Sequence, residues 1–154
     1  MNVERLMTHP AITCHVNDSL ALAAHLMWDH DIGALPVVHD DGTLAGMITD
    51  RDICMAALTQ GDALSSLLVN GAMAKHVFAV RPEQPLSDAE ALMAETKVRR
   101  LPVVDVSNRP IGVISLNDLV CDAARMDDGF HHAIVKVGFT LAAISQPRAG
   151  ARAA

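Results

Sequence analysis

The apolar and polar positions of the chain fall into two similar runs. In the first, Leu20, Ala23 and Met27 recur at helical spacing after Asn17-Asp18-Ser19, a cap-rich start. Apolar runs over residues 35–39 and 44–48 flank Asp40-Asp41-Gly42, the signal of a hairpin. A short strand over 11–14 precedes them, and a helix starting at Thr49 or Asp50 ends before Gly61. The second run predicts the same order. Residues 77–80 form the strand, Pro85 opens a helix that ends near Thr96, Ser107-Asn108-Arg109 turns the hairpin, and a helix over 116–126 closes it.

The likeness extends to identities. Met7, Leu20, Ala23, Leu26-Met27, Leu35-Pro36-Val37-Val38, Gly46, Ile48 and Asp52 reappear, each 66 positions on, as Met73, Leu86, Ala89, Leu92-Met93, Leu101-Pro102-Val103-Val104, Gly112, Ile114 and Asp118. Twelve identities without a gap mark an internal duplication. The expected organisation is repeat 1 over 1–60, a linker over 61–69, repeat 2 over 70–126 and a tail over 127–154. Within the tail, 133–139 is read as a strand or an apolar arm, and the last eight residues as disordered.

Composition narrows the class. Hydrophobic residues make up 51% of the 154 and charged residues 19%, so the chain can bury a core. With 3% aromatics that core is aliphatic. The net charge of −6, with no basic stripe, argues against nucleic-acid binding. No apolar run approaches the ~18 residues of a membrane span, and Met1-Asn2-Val3-Glu4-Arg5 lacks the features of a signal peptide. Three widely spaced cysteines do not suggest a disulfide scaffold. The expectation is a soluble, cytoplasmic protein.

Candidate chemistry sits where the third strand of each repeat meets its last helix. Thr49 and Asp52, like Ser115 and Asp118, place a hydroxyl at the strand end and an acid three positions on. In one reading the hydroxyl caps the helix and the acid complements its dipole. In the other, the helix start offers N–H groups to a phosphate while the carboxylate accepts from both hydroxyls of a ribose. The same acid appearing twice is more than capping requires. Arg99-Arg100 is either a phosphate contact or a solvated charge pair; its counterpart, Gly33-Ala34, is uncharged, so the two sites are unequal.

The eight histidines show no metal-binding spacing, and no metal site is expected. Cys14, His15 and His39 are the set that strand pairing would bring closest, and such a set holds zinc only with a fourth ligand. Cys14, Cys54 and Cys121 read as small buried hydrophobes. No glycine-rich phosphate loop, nucleophile elbow or Cys/His signature points to catalysis, so the chain is not expected to be an enzyme. The helices over 20–28 and 86–94 are apolar on more than one side; a second subunit would cover the other side, giving a homodimer.

The strand Leu-Pro-Val-Val, followed by Gly-x-Ile-Thr/Ser-x-x-Asp, twice and in order, resembles the CBS (cystathionine β-synthase) domain. The resemblance covers about residues 3–124. It implies an α/β fold with mixed sheets: two pseudo-symmetric β-α-β-β-α repeats packed as one module, with adenine nucleotides (AMP, ADP, ATP or related) bound in clefts between repeats. By the same resemblance Asp52 and Asp118 hold ribose and Thr49 and Ser115 the phosphate side. Arg99 and Arg100 add phosphate charge, and Ile12, Val77, Leu35 and Leu101 line the adenine slot, although the core is the plainer place for those four. The implied function is regulatory signal transduction to an unidentified protein target, with no required cofactor. The alternatives are a ligand-free dimeric interaction module and a metal or redox sensor using Cys14 and His39.

Overall fold

The structure, a computed structural model, describes residues 1–123 and 130–145. The elements run β1 (Cys14–His15), α1 (Leu20–Asp29), β2 (Ala34–Val38), β3 (Leu44–Thr49), α2 (Asp50–Gln60), α3 (Leu86–Thr96), β4 (Arg100–Val104), β5 (Pro110–Ser115), α4 (Leu116–Ala123) and α5 (Phe130–Ser145). Short 3-10 turns at Val3–Arg5 and Val69–Gly71 precede each repeat. No described helix is long and apolar enough to cross a membrane.

These elements form where local chemistry and burial agree. Ser19 caps α1 by accepting from the Leu22 N–H at 3.1 Å, and α2 ends at Gly61 in the left-handed region, φ 72°, that glycine adopts without strain. β1 pairs parallel to β2, and β2 antiparallel to β3, with Leu35 opposite Ile48 and Val37 opposite Gly46. β4 pairs with β5 in a separate two-stranded sheet. The hairpin turns sit at matched positions with positive φ, Gly42 at 84° and Asn108 at 60°.

Two compact units emerge, and each draws on both repeats. The first comprises Thr8–Val77 and Val104–Val113; the second comprises Met1–Met7, Phe78–Val103 and the chain from Ile114 on. In the second unit the Val3 N–H donates to the Gln84 carbonyl at 3.0 Å; in the first, the Val69 N–H donates to the Asp18 carbonyl at 2.9 Å. The opening segment of each repeat therefore completes the unit built around the other repeat's helices. Residues 61–69 take part in this. Leu67 and Val69 are buried with Leu20, Leu35 and Ile48 in the first unit's core, and the Leu67 carbonyl accepts from the Leu20 N–H at 2.8 Å. Burial of each such side chain is worth about 1.5–3 kcal/mol.

Several expectations are corrected. The first strand starts at Cys14 rather than at residue 11, because Thr8 and Ala11 hydrogen-bond to Val113 and Ile111 instead. In place of a strand over 77–80 there is a single parallel bridge, Val80 to Val103. Residues 133–139 are not a strand: of the two readings the packed apolar arm holds, in the form of helix α5, whose Val137, Thr140 and Ile144 are buried at helical spacing. Packing of α5 on α3 and α4 outweighs the β-preference of its Ile and Val residues. The second side of α3, assigned from sequence to another subunit, is thus met within the chain. The last eight residues and the end of the helix expected over 116–126 lie outside the described residues.

Candidate functional site

Both helix starts are built alike. Thr49 leaves β3 with extended backbone, φ −118° and ψ 161°, and turns into α2. Oδ2 of Asp52 accepts from the Thr49 N–H at 2.9 Å and from its Oγ1–H at 2.7 Å, and the Asp52 N–H donates back to Oγ1 at 3.2 Å. Ser115 and Asp118 repeat this at 2.7, 2.6 and 3.3 Å. Each is a closed capping box. All four residues are half-buried. Among the described residues no donor reaches Oδ1 of either aspartate, so each box leaves one carboxylate oxygen unused.

The first residue of each helix is tied to the residue before the first strand of the preceding hairpin. The Asp50 N–H donates to the Gly33 carbonyl at 3.2 Å, and the Leu116 N–H to the Arg99 carbonyl at 2.9 Å. This places Gly33-Ala34 beside the α2 start and Arg99-Arg100 beside the α4 start. Asp50 adds a further difference, since its own Oδ1 accepts from the Arg51 N–H at 2.7 Å. Leu116, at the matching position, has no acceptor to give the Asn117 N–H. The α2 start therefore carries two acids and one Arg with its N–H groups already occupied. The α4 start carries one acid, two exposed Arg residues and a less encumbered backbone. An anion is favoured at α4 and opposed at α2. Sequence reasoning had identified the Arg pair; it had not weighed Asp50 against Leu116, although that contrast is visible in the alignment of the repeats.

The remaining candidates divide by burial. Leu35 and Leu101 are 0% and 1% exposed and belong to the buried core. Ile12 is half-buried and packs on the first unit's core. Val77 is half-buried and ends that unit. Phe78, next to Val77 and 49% exposed at the opening of a segment of the second unit, offers a flat apolar surface.

The cysteine–histidine set does not assemble. Cys14 is in register with Val37 and faces the core; His15, next in the strand, pairs with Val38 and is exposed. Alternation thus sends neighbours to opposite faces, and His39 is exposed beyond β2. Burial, helped by the negative charge of Asp18, pushes the Cys14 thiol up to about 12, which disfavours the thiolate a metal or oxidant needs. Among the described residues no group of three or more His, Cys, Asp or Glu is placed to hold a metal ion. Cys54 and Cys121, expected to be buried, are exposed and free.

The architecture is that of a tandem α/β repeat protein with one Thr/Ser–Asp capping box in each repeat. The CBS domain family matches it twice, over residues 3–59 and 66–121, and the chain belongs to that family. The CBS domain-containing protein YhcV of Bacillus subtilis is 39% identical over 118 residues, covering 77% of this chain and 82% of YhcV. The CBS domain pair of protein MJ0100, solved in complex with 5-methylthioadenosine and S-adenosyl-L-methionine, superimposes with a TM-score of 0.73 at 27% identity, over 80% of this chain and 96% of that one. CBSX2 in complex with AMP gives a TM-score of 0.69 at 30% identity, over 80% and 96%.

Proposed function

We propose that this chain is a non-catalytic regulatory module, a homodimer that binds an adenine nucleotide and relays its presence to a partner protein. The observation that carries the reading is the contrast between two otherwise identical capping boxes. The α4 start pairs an unused carboxylate oxygen on Asp118 with Arg99 and Arg100, an acceptor for ribose hydroxyls beside cations for phosphate. The adenosine ligands of two similar structures support it. Ser115 is assigned to the phosphate side, and the exposed ring of Phe78 in the same unit is an apolar surface for the base. Thr49 and Asp52 form the second site, where Asp50 makes a ligand without phosphate, or with few phosphates, the better fit. Regulation arises because a ligand that binds two arrangements unequally shifts their populations, with no bond made or broken.

A second reading is favoured by one fact: both boxes close through their own residues, so Thr49, Asp52, Ser115 and Asp118 also suffice as caps in a pure interaction module. Thermal shift with adenosine, AMP, ADP, ATP, NAD and S-adenosylmethionine separates the two. A ligand at one hundred times its Kd adds about 2.7 kcal/mol, a rise of roughly 5–10 °C for a chain of this size. The expected result is a rise with a phosphate-bearing nucleotide that the Asp52→Ala, Asp118→Ala variant loses. A flat response across the panel at millimolar ligand would favour the interaction module.

A further inference from the structure

The two capping boxes are each met by a loop, and the two loops share one backbone design but carry opposite charge. Residues 31–34 lead from α1 into β2, and residues 97–100 lead from α3 into β4, 66 positions on. Asp31 and Lys97 both take the left-handed conformation, at φ 52° and 56°. The next residue closes each helix: the Ile32 N–H donates to the Met27 carbonyl at 3.0 Å, and the Val98 N–H to the Met93 carbonyl at 3.1 Å. One residue further, the Gly33 and Arg99 carbonyls accept from the first N–H of α2 and of α4. Each loop is thus held against the box of its own repeat, and each pair lies within one compact unit.

Loop and helix start together span residues 31–34 with 49–52 in the first repeat and 97–100 with 115–118 in the second. Six of these eight matched positions are charged in at least one copy, and only the box acid, Asp52 and Asp118, is the same in both. Four of the other five become more positive in the second repeat: Asp31 gives way to Lys97, Gly33-Ala34 to Arg99-Arg100, and Asp50 to Leu116. Arg51, replaced by Asn117, runs the other way. The first set therefore holds three acids and one base, the second three bases and one acid. Asp29 and Glu95, two positions before Asp31 and Lys97, are acidic in both and do not distinguish them. Solvated surface charge has no reason to move in one direction while the backbone and one acid stay fixed. Two sites that hold the same sugar, but differ in the charge of what it carries, have such a reason.

We infer that the two loops set the charge class of each ligand. Lys97, Arg99 and Arg100 select an adenosine bearing several phosphates at the α4 start, and Asp31 and Asp50 select an adenosine bearing a positive charge, such as a sulfonium, at the α2 start. The inference rests on the adenine-ligand reading of the proposed function and adds that the module takes two different signals, one at each box. Lys97 and Asp31 are specificity residues that act through the field. The Cα atoms of Lys97 and Arg99 are at most about 7 Å apart, inside the Debye length of about 8 Å at physiological salt, so their charges act together and salt weakens them.

Titration calorimetry of the full chain tests this with two ligand pairs. ATP and adenosine differ by the phosphates; S-adenosylmethionine and S-adenosylhomocysteine differ by one methyl group and the positive charge it confers on sulfur. Asp52→Asn and Asp118→Asn each weaken one box and so assign each heat to its site. The expected result is ATP at least tenfold tighter than adenosine at the Asp118 box, and S-adenosylmethionine at least threefold tighter than S-adenosylhomocysteine at the Asp52 box. Lys97→Asp should lower the first ratio at least fivefold, Lys97→Gln by less, and Asp31→Lys should bring the second to one or below. Raising salt from 50 to 500 mM should shrink both ratios. Each exchange to Asp or Lys places at a left-handed position the residue that its counterpart already carries there, so the fold tolerates it. All four ligands binding with both ratios unchanged in Lys97→Asp and Asp31→Lys would overturn the inference and keep the adenine site. ATP and S-adenosylmethionine competing for one box would also overturn it. No heat from any of the four at millimolar concentration overturns the inference and the proposed function together.

Discussion

Replacing Asp118 with asparagine separates capping from ligand binding at a single atom. Oδ2 of Asp118 receives both bonds from Ser115, at 2.7 Å from the N–H and 2.6 Å from the hydroxyl, while Oδ1 receives none among the described residues. An asparagine with its carbonyl oxygen in the Oδ2 place keeps both bonds and presents an NH₂ where the unused oxygen stood. Folding then loses the favourable charge at the helix start, about 0.3–1 kcal/mol, or a Tm decrease of at most roughly 4 °C. Asp118→Ala removes the acceptor altogether and costs about 1–2 kcal/mol, roughly 2–8 °C. Binding behaves the other way. In the proposed site the ribose hydroxyls would donate to the unused oxygen, and a hydrogen bond to a charged group is worth about 1.5–3 kcal/mol, so Asp118→Asn should weaken nucleotide affinity roughly 10- to 150-fold. Differential scanning fluorimetry reads the first effect and titration calorimetry the second. Nucleotide affinity equal to wild type in Asp118→Asn, or asparagine and alanine variants of equal low stability, would refute the division of labour between the two oxygens.

Three further outcomes follow from the same structure. At pH 8 a thiol reagent should label Cys54 and Cys121 in the native protein and reach Cys14 only after denaturation. Because the folded Cys14 thiol, at about 12, lies above its unperturbed 9.0, the native state holds that proton more tightly. Its contribution to stability is intact below pH 9 and falls as the pH rises from 9 toward 12, a slope that Cys14→Ala should remove from alkaline urea melts. Gly46→Ala should destabilise the first unit, since a Cβ there would lie 2.5 Å from the Ala74 carbonyl oxygen and 3.0 Å from the Met73 sulfur. Overpacking of this kind costs about 1–3 kcal/mol, visible as a lower midpoint in urea.

What the sequence made legible was local or duplicated. The Asp-Gly turn, the Leu-Pro-Val-Val strands and the Thr49–Asp52 and Ser115–Asp118 boxes depend on neighbours a few residues away, and a second copy of each corroborates the first. The inequality of the two sites was likewise legible, because Arg99-Arg100 aligns with Gly33-Ala34. The partners of residues 1–13 were not: Val3 meets Gln84 and Thr8 meets Val113, and no periodicity in a short segment names a partner so far along the chain. The turns after α1 and α3 carry no such local sign. Asp31 and Lys97 take positive φ, 52° and 56°, at matched positions where a glycine would have announced the turn. The helical form of α5 was not legible because Ile134, Val135 and Val137 favour strands when read alone, and the surfaces of α3 and α4 tip them into a helix.

The exchange of opening segments bears on how such a chain came about and how it must fold. A solitary repeat would lack the stretch that buries its own first helix, and could complete itself only by trading that stretch with another molecule. Tandem duplication brings the trade inside one polypeptide, so the two halves are complementing fragments rather than independent domains. During synthesis the first seven residues have no place to go until Gln84 has left the ribosome. Seating residues 1–7 closes the long loop between Val3 and Gln84, a contact of high sequence separation whose closure entropy must be met before it rewards the fold.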